Sequence, residues 1–417
     1  MKRIGIIGGG IIGLCSAYHL RKSGYSVTII DQDDMTSGCS IGNAGMIVPS
    51  HFIPLAAPGM IAKGIRWMFD STSPFYVRPR LSKDLLDWGL RFYRNATAKH
   101  VERSKPALSA LSLFSKSIYH ELSRTLPFDF GYQERGLLML YHDAALEKEE
   151  LETVHLAKNL GIEAHVLTLS DIQKLEPDVK VNARGGVYYP GDAHLIPGVL
   201  VPQLIVHLQG MGVEFLTHSQ VKEFRTEHGS IRAVTTSQGE FTADEWVVAT
   251  GAWSGHLLSG LGMRLPMQAG KGYSFTLSDV PKNVRVPTIF LEARVAVTPM
   301  VSSLRFGGTM EIAGVDHTIN MNRVKGIVGS IRKYYPEMNV SMPSTDHVWH
   351  GLRPCSPDGM PYIGRTRRAK NLVIATGHSM MGLSLGPATG HVVNALIQGT
   401  PPAVDLGLFN PDRFDRK

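Results

Sequence analysis

The chain has 417 residues, with 43 lysines and arginines against 36 aspartates and glutamates, so its formal net charge is +7. A hydrophobic content of 43% is ordinary for a globular protein and excludes a disordered or collagen-like chain. At roughly 150 residues per domain, this length predicts two or three domains. The sequence has no apolar run of about 18 residues that would span a bilayer, and no basic stripe typical of nucleic-acid binding.

The three cysteines, Cys15, Cys39 and Cys355, lie far apart in the sequence and form no CxxC motif. This spacing argues against a disulfide scaffold and against a zinc module, and we expect no metal site. The cysteine usage suits a reducing compartment, so we expect a cytoplasmic protein.

The first thirty residues carry the pattern of a dinucleotide-binding unit. An apolar run over Arg3–Ile7 predicts a buried parallel strand, and Ile11–Lys22 predicts a helix. A second strand is predicted over Ser26–Ile30, and Asp31 follows it, about twenty residues after the glycines. Strand, glycine turn, helix, strand and acid occur in the order that this fingerprint requires.

Each glycine of the G-x-G-x-x-G pattern has a distinct physical role. Gly8 permits the tight turn, Gly10 lets a pyrophosphate approach the backbone, and Gly13 lets the helix pack closely on the strand. The helix N-terminus presents N–H groups and a positive dipole end to the phosphates. Asp31 is expected to accept hydrogen bonds from the adenosine ribose, which disfavours NADP, but the pattern does not separate FAD from NAD.

Further glycine-rich turns favour the longer cofactor. Residues 36–45 form a small, polar, glycine-rich loop just after the ribose acid. A strand predicted over residues 371–375 leads into a second strand-to-helix turn at residues 376–387, where another helix N-terminus can face a ligand. Between them, an apolar strand over residues 245–249 ends in Thr250 and Gly251.

With these motifs in place, the sequence resembles the D-amino-acid oxidase/dehydrogenase (DAO) family of FAD enzymes through most of its length. Within that family it looks most like the bacterial D-amino acid dehydrogenases. The resemblance implies noncovalent FAD, with the flavin ring at the junction of two interleaved domains. It is carried by the amino-terminal fingerprint and by the motifs at residues 43–45, 249–253, 271–274, 351–354, 357–359 and 377–378.

The family pattern implies a set of cofactor-binding residues. Around the flavin ring, a helix dipole would stabilise the anionic reduced form. The implied residues are Gly8, Gly10, Gly13 and Asp31 for the ADP half, Val221 at the adenine, Thr250 and Gly251 near the cofactor backbone, Ser40, Asn43, Ala44, Gly45 and Met46 beside the flavin, and Met381, Gly382, Leu383 and Ser384 next to the ring.

We predict an α/β fold in which a discontinuous Rossmann-like FAD-binding domain is joined to an α+β substrate domain built on a mostly antiparallel sheet. That sheet would roof the flavin. The predicted pieces are residues 1–50, 145–262 and 350–400 for the FAD-binding domain, 51–144 and 263–349 for the substrate domain, and 401–417 for a C-terminal tail.

Arg353 is the main candidate for binding substrate. A guanidinium clamps a carboxylate through two parallel hydrogen bonds, and the Gly-Leu-Arg-Pro motif matches the family's carboxylate-binding arginine. A structural ion pair is the alternative. The resemblance also implies that the Tyr273 hydroxyl donates to the same carboxylate, although a half-buried sheet tyrosine explains its position as well.

Other candidates have structural explanations of equal weight. His51 and His378 each follow a glycine-rich segment and are expected to touch flavin or substrate, or to be satisfied by backbone groups. Asp192 and His194 either line the pocket or form a turn. Cys355 lies closer to the Pro-Asp-Gly motif than the flavin-linking cysteine of relatives that oxidise N-methyl amino acids, so we expect an inert residue.

The resemblance implies oxidation of a D-amino acid by hydride transfer from Cα to the flavin, which gives an imine and then a 2-oxo acid. D-proline or 4-hydroxy-D-proline would give a cyclic imine instead. Three alternatives stay open: oxidation of glycine, sarcosine or an L-amino acid on the same fold, a flavin subunit of a larger electron-transfer complex, and an NAD-linked dehydrogenase.

Relatives of the dehydrogenase type pass electrons to membrane quinones, and oxygen is the other acceptor that we consider. Residues 55–69 are apolar with two basic side chains, a composition that suits a lipid surface, a core helix or a lid. A core helix or a lid is the more common explanation of such a segment, and peripheral contact with the inner face of the cell membrane is the alternative. We expect no nucleic-acid partner.

Overall fold

The computed structural model describes residues 1–68, 70–278 and 280–415. Phe69, at the end of the predicted apolar segment, and residues 416–417 of the predicted tail lie outside the described residues. The helices in these ranges are α1 (Ile11–Lys22), α2 (Met60–Trp67), α3 (Lys83–Asn95), α4 (Ala98–Thr125), α5 (Ala144–Asn159), α6 (Leu169–Leu175), α7 (Pro197–Gly210), α8 (Ser254–Ser259), α9 (Met321–Tyr334) and α10 (Gly382–Gln398).

The strands of the described ranges lie between these helices, singly or several in succession. They are β1 (Arg3–Ile7), β2 (Ser26–Ile30), β3 (Met46–Ile47), β4 (Phe75–Val77), β5 (Leu137–Tyr141), β6 (His165–Leu167), β7 (Gly185–Tyr189), β8 (Ala193–His194), β9 (Glu214–Leu216), β10 (Val221–Glu227), β11 (Ser230–Thr236), β12 (Gly239–Thr242), β13 (Glu245–Val248), β14 (Gln268–Leu277), β15 (Thr288–Phe290), β16 (Val295–Met300), β17 (Ser303–Ile312), β18 (Trp349–Cys355), β19 (Tyr362–Arg365) and β20 (Leu372–Thr376).

A largely parallel sheet carries the amino-terminal fingerprint. Across the described ranges it has six strands in the order β19-β20-β13-β1-β2-β9, and only β19 and β20 run antiparallel. Its strands read as continuous apolar runs because both faces are covered: Ile6 packs towards α1 and α10, whereas Ile7 packs towards β10 and β11. The predicted Rossmann-like unit is confirmed.

Helices α1 and α10 lie against each other with their N-termini side by side. A Cβ atom on Gly386 would lie 3.1 Å from the Cγ1 atom of Ile11, and one on Gly390 would lie 2.5 Å from the carbonyl carbon of Cys15. Because both contacts repeat after one turn of each helix, the two helices run parallel. Two positive helix ends therefore point to the same edge of the sheet.

The second sheet is mostly antiparallel, as predicted. Its strands follow the order β18-β14-β17-β16-β15-β5-β7-β6, with β4 paired to β17, and the parallel pairs are β15 with β5 and β17 with β4. Helix α9 packs on one face through Val324, Ile327 and Ile331, which share a core with Phe275 and Phe306. The opposite face of this sheet is turned towards the parallel sheet.

The sheets divide the chain differently from the predicted boundaries at two points. Strands β6 and β7, which lie within residues 145–262, pair with β5 in the antiparallel sheet and not with the FAD-binding strands. Strand β18 likewise extends that sheet although the prediction assigns residues 350–400 to the other domain. Short strands carry little sequence information about which sheet they join, because pairing depends on distant partners.

Two observations bear on the membrane expectation. No helix of the described ranges combines the length and the apolar composition needed to cross a membrane. The apolar segment predicted at residues 55–69 contains α2, whose Ile65 is 56% exposed.

Candidate functional site

A cavity of about 1240 Å³ lies between the two sheets and extends from the glycine turn to β18. Ordinary small-molecule pockets measure roughly 300–1,000 Å³, so this space suits a ligand as long as a dinucleotide. Its wall includes most of the predicted cofactor residues, whereas Gly13, Gly45 and Ser384 lie just behind it. The predicted residues on the wall are Gly8, Gly10, Asp31, Ser40, Asn43, Ala44, Met46, Val221, Thr250, Gly251, Met381, Gly382 and Leu383.

The glycine turn has no room for side chains. Gly8 has φ of +107°, and a Cβ atom there would lie 2.6 Å from the carbonyl oxygen of Ala249. A Cβ on Gly13 would lie 1.9 Å from the carbonyl oxygen of Gly8, which explains the close packing of α1 on β1. Gly10 is different, because a Cβ there would meet only the Ser40 hydroxyl within 4 Å. Its outer side is open to the cavity, as contact with a pyrophosphate requires.

Asp31 lies at the end of β2 and organises the turn. Its Oδ2 atom accepts from the Gly9 amide at 2.6 Å, and its Oδ1 atom accepts from the Asp33 amide at 2.9 Å. Burial raises the pKa of Asp31, while the two amides favour the charged form. Each carboxylate oxygen has a further lone pair, so the residue still suits the predicted contact with a ribose hydroxyl.

The loop that precedes β3 is held in place by polar contacts. Ser40 accepts a hydrogen bond from the Ile11 amide at the start of α1, at 3.0 Å, and Asn43 accepts one from the Gly45 amide at 2.9 Å. Arg305 donates to the carbonyl oxygens of Ile41 and Asn43, at 3.0 and 2.8 Å. The antiparallel sheet therefore supports the loop that the resemblance places beside the flavin. Sequence reasoning missed Arg305 because it belongs to no motif.

The N-terminus of α10 forms another part of the cavity wall. Its first turn contains no acidic residue and no capping side chain, so its amides are available to a ligand. Ser384 accepts from the Val48 amide at 3.0 Å, and the Leu383 carbonyl accepts from the Tyr119 hydroxyl at 2.8 Å. These contacts fix the helix end against β3 and α4.

Trp349 contributes a second feature that fits a bound cofactor. Its ring fills the space over two glycines, since Cβ atoms on Gly42 and Gly351 would lie 2.0 and 2.1 Å from it. Its Nε1 atom is buried and has no hydrogen-bond partner among the described residues, although the residue lies on the cavity wall. An unpaired buried donor is costly, so it indicates a ligand acceptor. Together with the open side of Gly10, it shows that the residues present fit a dinucleotide.

Arg353 lies on β18 and lines the cavity at the end opposite to the glycine turn. Its Nη1 atom donates to the carbonyl oxygen of Thr309 at 2.6 Å. No ion pair among the described residues includes this guanidinium, and the titratable groups that affect it are Cys39 and Cys355. Burial lowers the pKa of Arg353, but an arginine stays charged in proteins. A half-buried cation without an internal anion suits an anionic ligand.

Two neighbouring strands orient this guanidinium. A Cβ atom on Gly272 would lie 2.2 Å from Arg353 Nη2, so only glycine leaves room for it. Thr309, whose carbonyl accepts the hydrogen bond, has φ of +67°. A β-branched residue in this conformation is strained, and it lies where β14 and β17 change register. The sequence gives no sign of this bulge, and sequence reasoning missed both supporting roles.

The predicted substrate contact of Tyr273 is not what the structure shows. Tyr273 borders the cavity, but its ring packs in the core with Phe275, on the face of β14 opposite to Ser274, whose hydroxyl donates to the Gly42 carbonyl. Its hydroxyl donates to Glu311 Oε2 at 2.8 Å and accepts from the Asn320 amide at 3.2 Å. The single O–H proton is therefore used away from the cavity, and the structural explanation applies.

Both histidines lie on the cavity wall, but their surroundings differ. His378 is 3% exposed, and its Nε2 atom donates to Thr389 Oγ1 at 3.0 Å, because that hydroxyl donates its own proton to the Leu385 carbonyl. Burial lowers the pKa of His378 to about 3, so the ring is neutral. His51 lies on the cavity wall, and burial and Arg294 lower its pKa to about 4.

Cys355 packs in an apolar cluster with Trp88, Met310 and Ile312. Burial raises the pKa of its thiol to about 11, which agrees with the expectation of an inert residue. His194 is buried on β8, and burial lowers its pKa to about 4. Neither side chain reaches the cavity wall.

Comparison with known proteins agrees with this geometry. The family model described as FAD dependent oxidoreductase (DAO) matches residues 3–396. A protein of Bradyrhizobium diazoefficiens named D-amino acid dehydrogenase is 30% identical over 98% of both chains. Among solved structures, glycine oxidase from Geobacillus kaustophilus has a TM-score of 0.78 at 23% identity over 99% of both chains. L-Proline dehydrogenase from P. horikoshii also has a TM-score of 0.78, at 20% identity, over 100% of this chain and 98% of its own.

Proposed function

Because the chain belongs to the DAO family of FAD-dependent oxidoreductases, we propose that it is a D-amino acid dehydrogenase. Its reaction would remove a hydride from Cα of a D-amino acid and release an imine, which water converts to a 2-oxo acid. The curated relative from Bradyrhizobium diazoefficiens, which matches along almost the whole chain, carries that name. The likeness to glycine oxidase and L-proline dehydrogenase, below 25% identity, shows the fold alone.

The residues that would hold FAD follow the cavity wall. The open side of Gly10, the carboxylate of Asp31 and the two helix N-termini suit the ADP half, and the loop before β3 together with Trp349 suits the flavin. When bound, FAD supplies the hydride acceptor of the reaction. The protein contributes the position of the substrate and the exclusion of water.

The unpaired guanidinium of Arg353 is the observation that carries the proposal. A D-amino acid carries a carboxylate, and two parallel hydrogen bonds from Arg353 would anchor it. Holding the carboxylate would fix the position of the substrate Cα relative to the flavin ring. The two reacting groups would then meet in the orientation that hydride transfer requires. This contact would recognise only the carboxylate, which D-proline and 4-hydroxy-D-proline also carry. Both cyclic amino acids therefore belong in the proposed substrate range.

An exposed apolar stripe suggests where electrons leave. On α3, Leu86, Leu90 and Tyr93 are 68%, 50% and 66% exposed and recur at helical spacing, while Trp88 on the opposite face is buried. The neighbouring helix α2 contributes exposed Ile65, and other residues of α2 line the cavity. We propose that this face rests on the inner surface of the cell membrane, so that a lipid-soluble quinone takes the electrons.

The experiment is anaerobic mixing of the FAD-loaded protein with single amino acids while the visible absorbance of the flavin is recorded. D-Amino acids or 4-hydroxy-D-proline are expected to bleach it, and their L-enantiomers are not. Preference for glycine, sarcosine or L-amino acids would contradict the proposal and select the alternative. Bleaching only after addition of a partner protein would identify a subunit of a larger electron-transfer complex.

A further inference from the structure

A buried hydrogen-bond chain connects His51 on the cavity wall to a carboxylate behind it. Strands β3 and β8 pair antiparallel, with Met46 opposite His194, so the residues that follow β3 lie alongside Asp192. The Ser50 hydroxyl donates to Asp192 Oδ2 at 2.5 Å, and the Ser50 amide donates to Oδ1 at 3.1 Å. Asp192 is 1% exposed and Ser50 is 4% exposed.

This chain fixes the tautomer of the imidazole. The Ser50 hydroxyl has one proton, and Asp192 accepts it, so Ser50 Oγ can only accept from His51 Nδ1, which lies 3.2 Å away. Nδ1 therefore carries the ring proton. The other nitrogen, Nε2, has no partner among the described residues and is not one of their buried unpaired atoms. The lone pair of His51 Nε2 therefore faces the cavity.

We propose that Asp192 and Ser50 are positioning residues which, through His51, form a relay that takes up the proton released by the substrate ammonium. The inference rests on the proposed function, since it requires an amino acid in the cavity. Hydride loss from Cα forms a C=N bond with the nitrogen lone pair, and an ammonium has none. One proton must therefore leave the nitrogen before or during the oxidation.

The transfer balances without any further reactant. An N–H bond of the ammonium breaks as His51 Nε2–H forms, Nδ1–H breaks as a Ser50 O–H forms, and the original Ser50 O–H breaks as Asp192 Oδ2–H forms. The substrate becomes a neutral amine, Asp192 becomes a neutral acid, and the imidazole is neutral before and after. Nothing is oxidised or reduced in this step. After the product leaves, the same transfers run in reverse, and His51 Nε2–H gives its proton to a water molecule that enters the cavity.

The surrounding charges favour a relay over a histidine that acts alone. Burial and Arg294 lower the pKa of His51 to about 4, so a lasting imidazolium is disfavoured. Burial raises the pKa of Asp192 to about 7, against the opposing effects of Ser50 and Lys116, and Tyr189 is the other titratable group that interacts with it. The proton is therefore more stable on Asp192 than on His51.

The test compares Asp192→Asn with a matched control, Glu176→Gln. Glu176 is also fully buried, accepts two backbone amides from Arg285 and Val286, and has its pKa raised to about 7, but it is not on the cavity wall. The first readout is the pH dependence of flavin reduction by a saturating D-amino acid in the FAD-loaded protein. The wild type should slow down below about pH 7, where Asp192 is already protonated.

In Asp192→Asn, reduction should be about 100-fold slower at pH 7, within the usual range of acid–base contributions. Its rate should rise about tenfold per pH unit in alkaline solution, because the variant depends on substrate that is already neutral. Glu176→Gln should keep the wild-type profile. If Asp192→Asn keeps the wild-type profile, or loses the same fraction of its rate at every pH, the relay is refuted.

The second readout is independent of turnover. Nitrogen-15 NMR of the histidine rings, with His51 assigned by comparison with His51→Asn, should show Nδ1 protonated in the wild type. An asparagine at 192 can donate to Ser50, which would turn the Ser50 proton towards Nδ1 and move the ring proton to Nε2. An unchanged tautomer in Asp192→Asn and in Ser50→Ala would overturn the inference. Failure of every amino acid to reduce the wild-type flavin would instead refute the proposed function.

Discussion

The guanidinium group of Arg353 lies directly over the α-carbon of Gly272 on the neighbouring strand. A Cβ atom on Gly272 would lie 2.2 to 2.4 Å from Nη2, Nη1 and Cζ of Arg353. The carbonyl of Thr309 holds the same group from β17. The glycine of the Lys-Gly-Tyr-Ser motif therefore leaves the space in which the guanidinium of the proposed substrate site lies.

Gly272→Ala is expected to displace Arg353 and to weaken substrate binding. The KM for a D-amino acid should rise about 10- to 100-fold, which corresponds to about 1.4–3 kcal/mol, the size of a charge-assisted hydrogen bond. Steady-state kinetics measures this change. Gly329→Ala is the matched control, because Gly329 lies in α9 with no atom within 4 Å of an added Cβ. An unchanged KM in Gly272→Ala would show that Arg353 does not bind substrate from this position.

Acid should destabilise the fold through His378. Its pKa is about 3 in the folded protein and about 6.5 when unfolded, so the unfolded chain binds the proton first as the pH falls. The contribution of the neutral ring is complete above about pH 6.5 and is lost progressively between pH 6.5 and 3. Relative to His378→Asn, the wild-type free energy of unfolding should fall by about 1.4 kcal/mol per pH unit in this range.

Urea unfolding of both proteins at pH 4, 5, 6 and 7 measures this difference. Other titrating groups, such as the buried carboxylates of Asp192 and Glu176, are common to both proteins and cancel in the comparison. Parallel pH profiles for the two proteins would contradict the assignment of His378 as a buried neutral group.

Removing the exposed stripe of α3 should weaken membrane binding. Replacing Leu86, Leu90 and Tyr93 with serine removes exposed apolar area, so the fraction that sediments with anionic phospholipid vesicles should fall severalfold. Amino-acid-dependent reduction of a soluble dye should remain, because these side chains do not line the cavity. The control replaces Leu113, Leu151 and Val206, exposed elsewhere, with serine. Equal sedimentation of both triple variants would refute the proposed membrane face.

The amino-terminal half of the site could be predicted from the sequence because its parts are contiguous. Strand, glycines, helix and acid lie within the first 31 residues, and each role follows from local geometry. Arg353 could be identified from the chemistry of the substrate and from its motif. The sequence does not specify the register in which the strands of the antiparallel sheet pair. A bulge in β17 at Thr309 and the alternation along β14 decide that the Tyr273 ring packs in the core beside Phe275.

The sequence also does not reveal which distant segments pair with each other. Ser50 and Asp192 are 142 positions apart, and only the antiparallel pairing of β3 with β8 brings them together. Each of them looks like an ordinary turn residue in the sequence. The same limit explains why residues 145–262, which contain β6 and β7, are predicted as part of the FAD-binding domain, since the sequence of neither strand identifies its partner.

The most direct measurement is the dissociation constant of a D-amino acid from FAD-loaded Arg353→Leu, obtained from the saturation of its anaerobic flavin reduction rate. Loss of the guanidinium should raise this constant at least about 100-fold, or about 2.7 kcal/mol, while the flavin spectrum shows that the cofactor is still bound. A constant within about twofold of the wild type would contradict the claim that Arg353 anchors the substrate carboxylate.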